Sequence, residues 1–202
     1  MADRMPVGEN QPKVLIREQV DESLATATFA GGCFWCTEAV FQETDGVKNA
    51  ISGYAGGEEF DPTYEQVYKE ITGHREALRV YYDPNVVSYD KLLDIFWRST
   101  DPTDGGGQFV DRGFSYTTAV FYENDAQKIA AEKYKLMLKN SGKFDSPIVT
   151  EILSFSTFYE AEEYHQDFYI KSTDRYKSYA NNSGRQEFKA RIWELIQLEQ
   201  TR

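Results

Sequence analysis

The sequence predicts an α+β protein in which helices pack on the faces of a mixed central sheet. Three observations support this prediction. Short β-prone runs mix irregularly with segments of helical spacing, the chain carries no internal repeat, and 41% of its 202 residues are hydrophobic, which is enough for one core. We expect residues 1–23 to form an N-terminal arm and residues 24–202 to form a single domain.

The first predicted strand and helix are joined by a glycine pair. Residues 25–30 are an apolar, β-prone run, and Gly31-Gly32 provides a tight turn after it. Helical spacing begins at Cys33 and ends near Gly46, which suits the left-handed conformation that closes many helices. This pattern indicates a strand, a turn and a helix that begins at a cysteine.

The next elements surround a glycine-rich loop. Residues 47–54 resemble a second strand, whereas four of residues 53–62 are Gly or Pro, which is too many for regular structure. Thr63 can then cap one or two helical turns. A third strand follows at residues 77–82 and is ended by Asp83-Pro84.

A long irregular segment follows the next helix. Residues 88–99 are predicted to be helical, with Ser88 as the N-cap and an apolar face that ends at Trp97. Residues 101–113 lack the motif of a phosphate-binding loop and carry three aspartates, so a phosphate site is not expected there. Loops of this length inside a compact domain are often functional.

The C-terminal half contains further strands and helices. An amphipathic helix is stopped by Asn140-Ser141-Gly142, and the closing helix carries an apolar stripe that includes Phe188, Ile192 and Leu195. The predicted elements are a strand at 116–122, a helix at 125–139, a strand at 148–155, a helical segment at 159–170 and a helix at 183–198.

Both cysteines of the chain lie at the start of the first predicted helix. The unpaired N–H groups and partial positive charge of a helix N-terminus favour a thiolate, so we predict a lowered pKa for Cys33 and a role as nucleophile. The C-x-x-C spacing to Cys36 favours redox chemistry, although either thiol could be a small buried hydrophobe. Zinc is not expected, because the histidines, His74 and His165, are distant and there is no second cysteine pair.

Charge and hydropathy exclude several classes of protein. The net charge of -11 disfavours binding to nucleic acid or to anionic lipid. Residues 1–22 lack the apolar segment of a secretory signal, and no run approaches the roughly 20 apolar residues of a membrane span. We therefore expect a cytoplasmic monomer, in which a cysteine pair is catalytic rather than a structural staple.

Eight short motifs occur in the order and approximate spacing of one known enzyme family. They are Gly31-Gly32-Cys33-Phe34-Trp35, Gly53-Tyr54-Ala55-Gly56-Gly57, Pro62-Thr63-Tyr64, Gly73-His74-Arg75-Glu76, Tyr82-Asp83-Pro84, Asp101-Pro102-Thr103, Asp111-Arg112-Gly113 and Tyr164-His165-Gln166. Over roughly residues 24–170 the chain resembles the A-type peptide-methionine sulfoxide reductases.

The resemblance implies a two-layer sandwich fold and a specific activity. It implies that residues 24–202 are a catalytic domain that reduces the S epimer of methionine sulfoxide, free or in proteins, as a repair of oxidative damage. The family uses thiols and needs no metal or flavin, so no cofactor is expected. Thioredoxin or a similar dithiol would restore the enzyme.

The resemblance also implies roles for individual residues. Cys33 matches the nucleophile that attacks the sulfoxide sulfur and becomes a sulfenic acid, and Glu76 matches the acid that protonates the sulfoxide oxygen. That oxygen is a poor leaving group until it is protonated, so the site needs a carboxyl that is still an acid near pH 7. Burial can supply one, because desolvation raises the pKa of a carboxyl. The other matches are the phenols Tyr64 and Tyr116, the supporting carboxylate Asp111, and the rings of Phe34 and Trp35, which would hold the substrate methyl group.

The chain departs from much of the family in two places. Many members have glycine at the position of Cys36 and carry a resolving cysteine near the C-terminus, whereas this chain has no cysteine after Cys36. We predict a Cys33–Cys36 disulfide, with direct reduction of the sulfenic acid by an external thiol as the alternative. Thr117-Thr118 replaces a common Arg-Ser pair, and Ser115 stands where glutamine is common.

Two other function classes remain open at this level. A thioredoxin-like disulfide oxidoreductase would also carry C-x-x-C after a strand, but it would lack the set formed by Glu76, Tyr64 and Tyr116. A binding module for oxidised methionine would keep the aromatic pocket without turnover.

Overall fold

The computed structural model describes residues 23–194 and is built around a mixed, six-stranded sheet. The strands of the described residues, in chain order, are β1 (Ala25–Gly31), β2 (Val47–Ala55), β3 (Arg75–Tyr82), β4 (Gly107–Gln108), β5 (Asp111–Arg112), β6 (Thr118–Tyr122), β7 (Glu151–Ser154) and β8 (Phe158–Glu160). The order in the main sheet is β7-β6-β1-β3-β2-β8, and its neighbours are antiparallel except for β6 and β7. β4 and β5 form a separate two-stranded sheet.

Seven α-helices accompany the sheet in the described part of the chain. They are α1 (Phe34–Gln42), α2 (Tyr64–Tyr68), α3 (Tyr89–Ser99), α4 (Asp125–Asn140), α5 (Phe168–Lys171), α6 (Thr173–Asn182) and α7 (Arg185–Lys189). A π-helical turn follows at Ala190–Glu194. Thr63 and Ser88 accept hydrogen bonds from the backbone of α2 and α3, so both predicted N-caps are confirmed.

The main core lies between one face of the sheet and α1, α3 and α4. Phe29 of β1 and Leu78 of β3 point into it and meet Phe96 and Trp97 of α3, all of them fully buried. Side chains alternate along each strand, so small residues such as Ala30 line the opposite face with Phe121 and Phe158. The predicted α+β architecture is confirmed.

The segment at residues 159–170 differs from its predicted helix. Residues 158–160 form the edge strand β8, where Tyr159 pairs with Tyr54 of β2. The Gln166 side chain is also tied to β2, because it accepts from Ser52 N at 3.0 Å and donates to Ser52 O at 2.8 Å. Pairing with a distant strand outweighed the local helical pattern here.

Three other predictions change in detail. The strand predicted at 148–155 is limited to β7, the loop at 101–113 contains the β4–β5 hairpin, and the closing helix is divided into α7 and a π-helical turn. Residues 1–22 of the predicted N-terminal arm and Leu195 of the apolar stripe lie outside the described residues. Within residues 23–194, no helix combines the length and apolar character needed to cross a membrane.

Candidate active site

A tight glycine turn places Cys33 at the start of α1. Gly32 has φ +79°, and a Cβ added to it would lie 2.5 Å from Cβ of Gln108, so the turn needs glycine for conformation and for space. Cys33 is the N-cap residue of α1, and its carbonyl accepts from the backbone N–H groups of Cys36 and Thr37 at 3.2 and 3.4 Å. The prediction that the helix begins at Cys33 is confirmed.

Glu76 of β3 lies beside this helix start with only 3% of its surface exposed. Its Oε2 accepts a 3.0 Å hydrogen bond from the backbone N–H of Phe34. Burial raises the pKa of the Glu76 carboxyl to about 8, and the hydrogen bonds from Phe34 and Tyr116 offset only part of that effect. Glu76 is therefore mostly protonated at neutral pH and can donate a proton.

The two thiols are both buried and lie in hydrogen-bond contact. Burial raises the pKa of Cys33 well above its ordinary value, and the hydrogen bond to Cys36 and the charges of Glu76 and Asp111 add to the effect. The lowered pKa expected for Cys33 is therefore wrong, because the partial charge of the helix N-terminus is weaker than desolvation beside two acids. The hydrogen bond from Cys33 lowers the pKa of Cys36, burial opposes it, and the charge of Arg185 adds to the lowering.

Two phenols complete the surroundings of Glu76. Tyr64 begins α2, and Tyr116 ends the 3-10 turn at Phe114–Tyr116. Tyr116 hydrogen bonds to Glu76 and also to Tyr64. Burial raises the pKa of Tyr64 to about 12 and raises that of Tyr116 as well, so both remain neutral hydrogen-bond donors.

Asp111 joins the site from β5 together with a residue that the sequence did not single out. The Tyr179 hydroxyl, on α6, donates a hydrogen bond to Oδ2 of Asp111 and also contacts the thiol of Cys33. Burial raises the pKa of Asp111, while the Tyr179 hydrogen bond and the charge of Arg185 act in the opposite direction. Tyr179, from the C-terminal part of the chain, thus lies against the thiol of Cys33.

The two predicted wall residues lie in different environments. Trp35 is half-buried and stacks on Phe168, with ring centroids 3.8 Å apart and planes 9° apart. Its Nε1 donates to Nδ1 of His165 at 3.2 Å, and burial lowers the pKa of His165 to about 4, which keeps that nitrogen an acceptor. Phe34 is only 1% exposed and packs in a cluster with Tyr54.

Thr117, which stands where many family members carry arginine, lies next to an arginine from another strand. Arg75 of β3 donates from Nε to Oγ1 of Thr117 at 2.8 Å and lies over the ring of Phe114 at 4.4 Å. It also forms an ion pair with Glu151. A guanidinium therefore stands next to Thr117, although it comes from another strand.

His74 has contacts that account for its burial. Its Nδ1 accepts from Gly57 N at 3.3 Å, and its Nε2 lies 2.9 Å from the carbonyl of Glu59, so the ring orders the glycine-rich loop. Among residues 23–194, no group of three His, Cys, Asp or Glu side chains is arranged to hold a metal ion.

A buried thiol pair next to a protonated carboxyl and two neutral phenols is the site of a thiol-dependent oxidoreductase that can protonate an oxygen atom. Sequence comparison identifies one family within this class of enzymes: residues 25–196 match the family described as Peptide methionine sulfoxide reductase. The chain belongs to that family. The predicted family and enzyme class are confirmed, and the thioredoxin-like alternative is not favoured.

Individual relatives agree with this assignment. Peptide methionine sulfoxide reductase MsrA of Bacillus subtilis (strain 168) is 52% identical over 174 residues, which cover 86% of this chain and 98% of that protein. The MsrA protein of Listeria monocytogenes serotype 4b (strain CLIP80459) is 52% identical over 85% of this chain and 97% of its own length.

Two solved structures share the fold. Reduced Mxr1 from Saccharomyces cerevisiae has a TM-score of 0.69 and 33% identity, covering 77% of this chain and 90% of that one. Methionine sulfoxide reductase A of Corynebacterium diphtheriae also has a TM-score of 0.69, with 32% identity over 76% of this chain and 77% of that one.

Proposed function

We propose that this protein reduces the S epimer of methionine sulfoxide, free or in proteins, to methionine. The observation that carries the proposal is the buried carboxyl of Glu76, whose pKa of about 8 keeps it an acid beside the thiol of Cys33. Family membership supplies the substrate class, and the site supplies a nucleophile and a proton donor.

In the proposed first step, the sulfur of Cys33 attacks the sulfoxide sulfur while Glu76 protonates the oxygen. The attack joins the two sulfurs; this bond and the sulfur–oxygen bond of the substrate then break as the oxygen passes to Cys33, which becomes a sulfenic acid and releases methionine. Tyr64 and Tyr116 donate hydrogen bonds to the oxygen as charge develops on it, which suits two phenols that stay neutral. The proton lost by the Cys33 thiol balances the proton added to the oxygen.

The remaining predicted site residues take supporting roles in the proposal. Asp111 orients Tyr179 above Cys33, and its charge helps to keep the unreacted thiol protonated. Trp35, fixed by Phe168 and His165, offers an aromatic face for the substrate methyl group. Phe34 supports the apolar floor of the site from its buried position.

In the proposed second step, Cys36 attacks the sulfenic acid of Cys33 to form a disulfide and water. Support comes from the hydrogen bond between the two thiols and from their C-x-x-C spacing in the sequence. Thioredoxin or a similar dithiol would then reduce the disulfide. Residues 24–202 as one catalytic domain, a monomeric state and a cytoplasmic location remain predictions.

Separated epimers of a blocked methionine sulfoxide, supplied with dithiothreitol, test the activity. We expect product from the S form and no turnover after Cys33→Ala; reduction of the R form alone would overturn the assignment.

Thiol counting after a single turnover without reductant tests the second step. Wild type should lose both thiols and Cys36→Ser should yield one methionine with a trappable sulfenic acid, whereas a sulfenic acid beside a free Cys36 in wild type would refute the disulfide.

A further inference from the structure

Arg185, a residue outside the predicted site, lies beneath the start of α1. Its side chain belongs to α7, and the residue is only 9% exposed. Nη1 and Nη2 donate to the carbonyl of Gly31 at 3.4 and 3.3 Å, and Nη1 also donates to the carbonyl of Ser99. These bonds fix a guanidinium at the turn that carries the two cysteines.

The positive charge of Arg185 is not matched by a carboxylate in direct contact. Among residues 23–194, no Asp or Glu forms an ion pair with Arg185, and its Nε is buried without a hydrogen-bond partner. A buried charge is costly unless an opposite charge or polar group offsets it. The carbonyls of Gly31 and Ser99 and the ring of Phe109, whose centroid lies 4.7 Å from the guanidinium carbon, do part of this, and an anion beside the guanidinium would add to it.

Cys36 is the group that can provide that anion. It lines the same groove as Arg185, a cavity of about 710 Å³ between α3 and the helices α6 and α7. The hydrogen bond from Cys33 lowers the pKa of Cys36, burial opposes this, and the charge of Arg185 adds to the lowering. The other titratable groups that act on Cys36 or respond to its charge are Cys33 of the turn, Glu76 of β3, Asp111 of β5 and Tyr176 of α6.

We propose that Arg185 is a positioning residue that lies beside Cys36 and stabilises the negative charge on its sulfur during attack on the sulfenic acid of Cys33. This inference rests on the proposed resolving role of Cys36. The Cys36 sulfur supplies the electron pair of the new sulfur–sulfur bond, and the sulfur–oxygen bond of the sulfenic acid breaks. Cys36 is oxidised and Cys33 is reduced to the disulfide level. The departing hydroxide is balanced by the proton that Cys36 lost, which gives one water.

The two thiols therefore have different polar neighbours. Cys33 faces the acid and the phenols that act on the sulfoxide, whereas Cys36 faces a guanidinium that plays no part in protonating the oxygen. Loss of Arg185 should slow the formation of the disulfide and leave the release of methionine nearly unchanged.

Single-turnover kinetics with Arg185→Gln and Arg185→Lys test this separation. Methionine release and loss of the second thiol are followed in the same sample between pH 6 and 9. For Arg185→Gln we expect methionine release within about twofold of wild type, disulfide formation at least about tenfold slower at pH 7, and recovery as pH rises by about one unit. Arg185→Lys should restore part of the rate, because it keeps the charge. Lys189→Gln is the matched control, since it removes an exposed positive charge from the same groove.

The outcomes distinguish the inference from the proposed function. If wild type forms the disulfide and Arg185→Gln forms it equally fast, the role of Arg185 is wrong while that of Cys36 stands. A slower step with an unshifted pH profile, or an equal loss in both steps, would also overturn the role of Arg185. If Arg185→Gln fails to fold, the pH dependence of Cys36 alkylation is compared between Cys33→Ala and Cys33→Ala with Arg185→Met, which removes the charge and keeps a long side chain. An unshifted midpoint in the double variant would then refute the inference.

Discussion

The backbone N–H of Phe34 donates a 3.0 Å hydrogen bond to Oε2 of Glu76 and thereby ties the first turn of α1 to β3. The proposed acid is thus held by the main chain of the residue next to the proposed nucleophile. Because a glutamine oxygen can accept the same bond, substitution at Glu76 can remove the proton and keep the geometry.

We expect Glu76→Gln to slow the first turnover by about 100- to 10,000-fold, the usual contribution of a positioned general acid. Methionine released in a rapid-quench experiment measures this rate. Glu65→Gln is the control, because Glu65 is an exposed acid paired with Lys69 and should keep the wild-type rate. A Glu76→Gln enzyme with more than a tenth of the wild-type rate would show that another group protonates the oxygen.

The pH dependence of the first turnover should reflect two raised pKa values. In the proposed first step, the rate depends on the protonated form of Glu76 and the ionised form of Cys33. Below the Glu76 pKa of about 8 the acid stays protonated, so the rate rises with pH as Cys33 ionises. Above about 8, loss of the Glu76 proton offsets further ionisation of Cys33, and the rate levels off. In Glu76→Gln, by contrast, the slow residual rate should keep rising through pH 9, and a plateau near 8 in that variant would assign the levelling to another group.

Tyr179→Phe should raise the pKa of Asp111. The Tyr179 hydroxyl is the largest influence that lowers this pKa, and a hydrogen bond to a charged group is worth about 1.5–3 kcal/mol, or roughly one to two pH units. Carbon-13 NMR titration of the Asp111 carboxyl measures the change. Tyr122→Phe, which alters a tyrosine beside Lys128, should leave the titration unmoved. An unchanged Asp111 midpoint in Tyr179→Phe would mean that the contact is absent in solution.

Gly32→Ala should destabilise the turn that carries Cys33 by roughly 1–3 kcal/mol, because the added Cβ meets Gln108 in a backbone conformation unfavourable for alanine. Gly142→Ala is a matched control, since Gly142 has φ +68° and an added Cβ there meets nothing within 4 Å. Urea unfolding measures both variants. The difference between them isolates the steric cost at Gly32, and equal losses would contradict close packing under the turn.

Local sequence patterns predicted the elements that depend on near neighbours. The glycine turn before Cys33 and the Thr63 cap follow from backbone preferences of a few consecutive residues, and the structure has both. No comparable local sequence pattern marked Tyr179 or Arg185 as part of the site. Helix α6, which holds Tyr179, has no fully buried residue and therefore no strong apolar stripe, and Arg185 acts through carbonyls far away in the sequence.

The pKa of Cys33 likewise could not be predicted from neighbouring residues in the sequence. Its position at a helix N-terminus is visible in the sequence and by itself favours the thiolate. The opposing influences come from burial and from Glu76 and Asp111, which only the folded sheet and hairpin bring near. Family resemblance identified both acids by motif, but only the folded structure shows that they lie close enough to Cys33 to raise its pKa.

The raised pKa of Cys33 affects how well the enzyme itself resists oxidation under the conditions in which methionine becomes oxidised. Hydrogen peroxide reacts with thiolates far more readily than with thiols, and repeated oxidation of one sulfur leads to irreversible sulfinic and sulfonic acids. A covered and protonated Cys33 is a poor target for peroxide in the absence of substrate. The burial that lowers the reactivity of the free Cys33 thiol thus also protects the enzyme from irreversible oxidation under oxidising conditions.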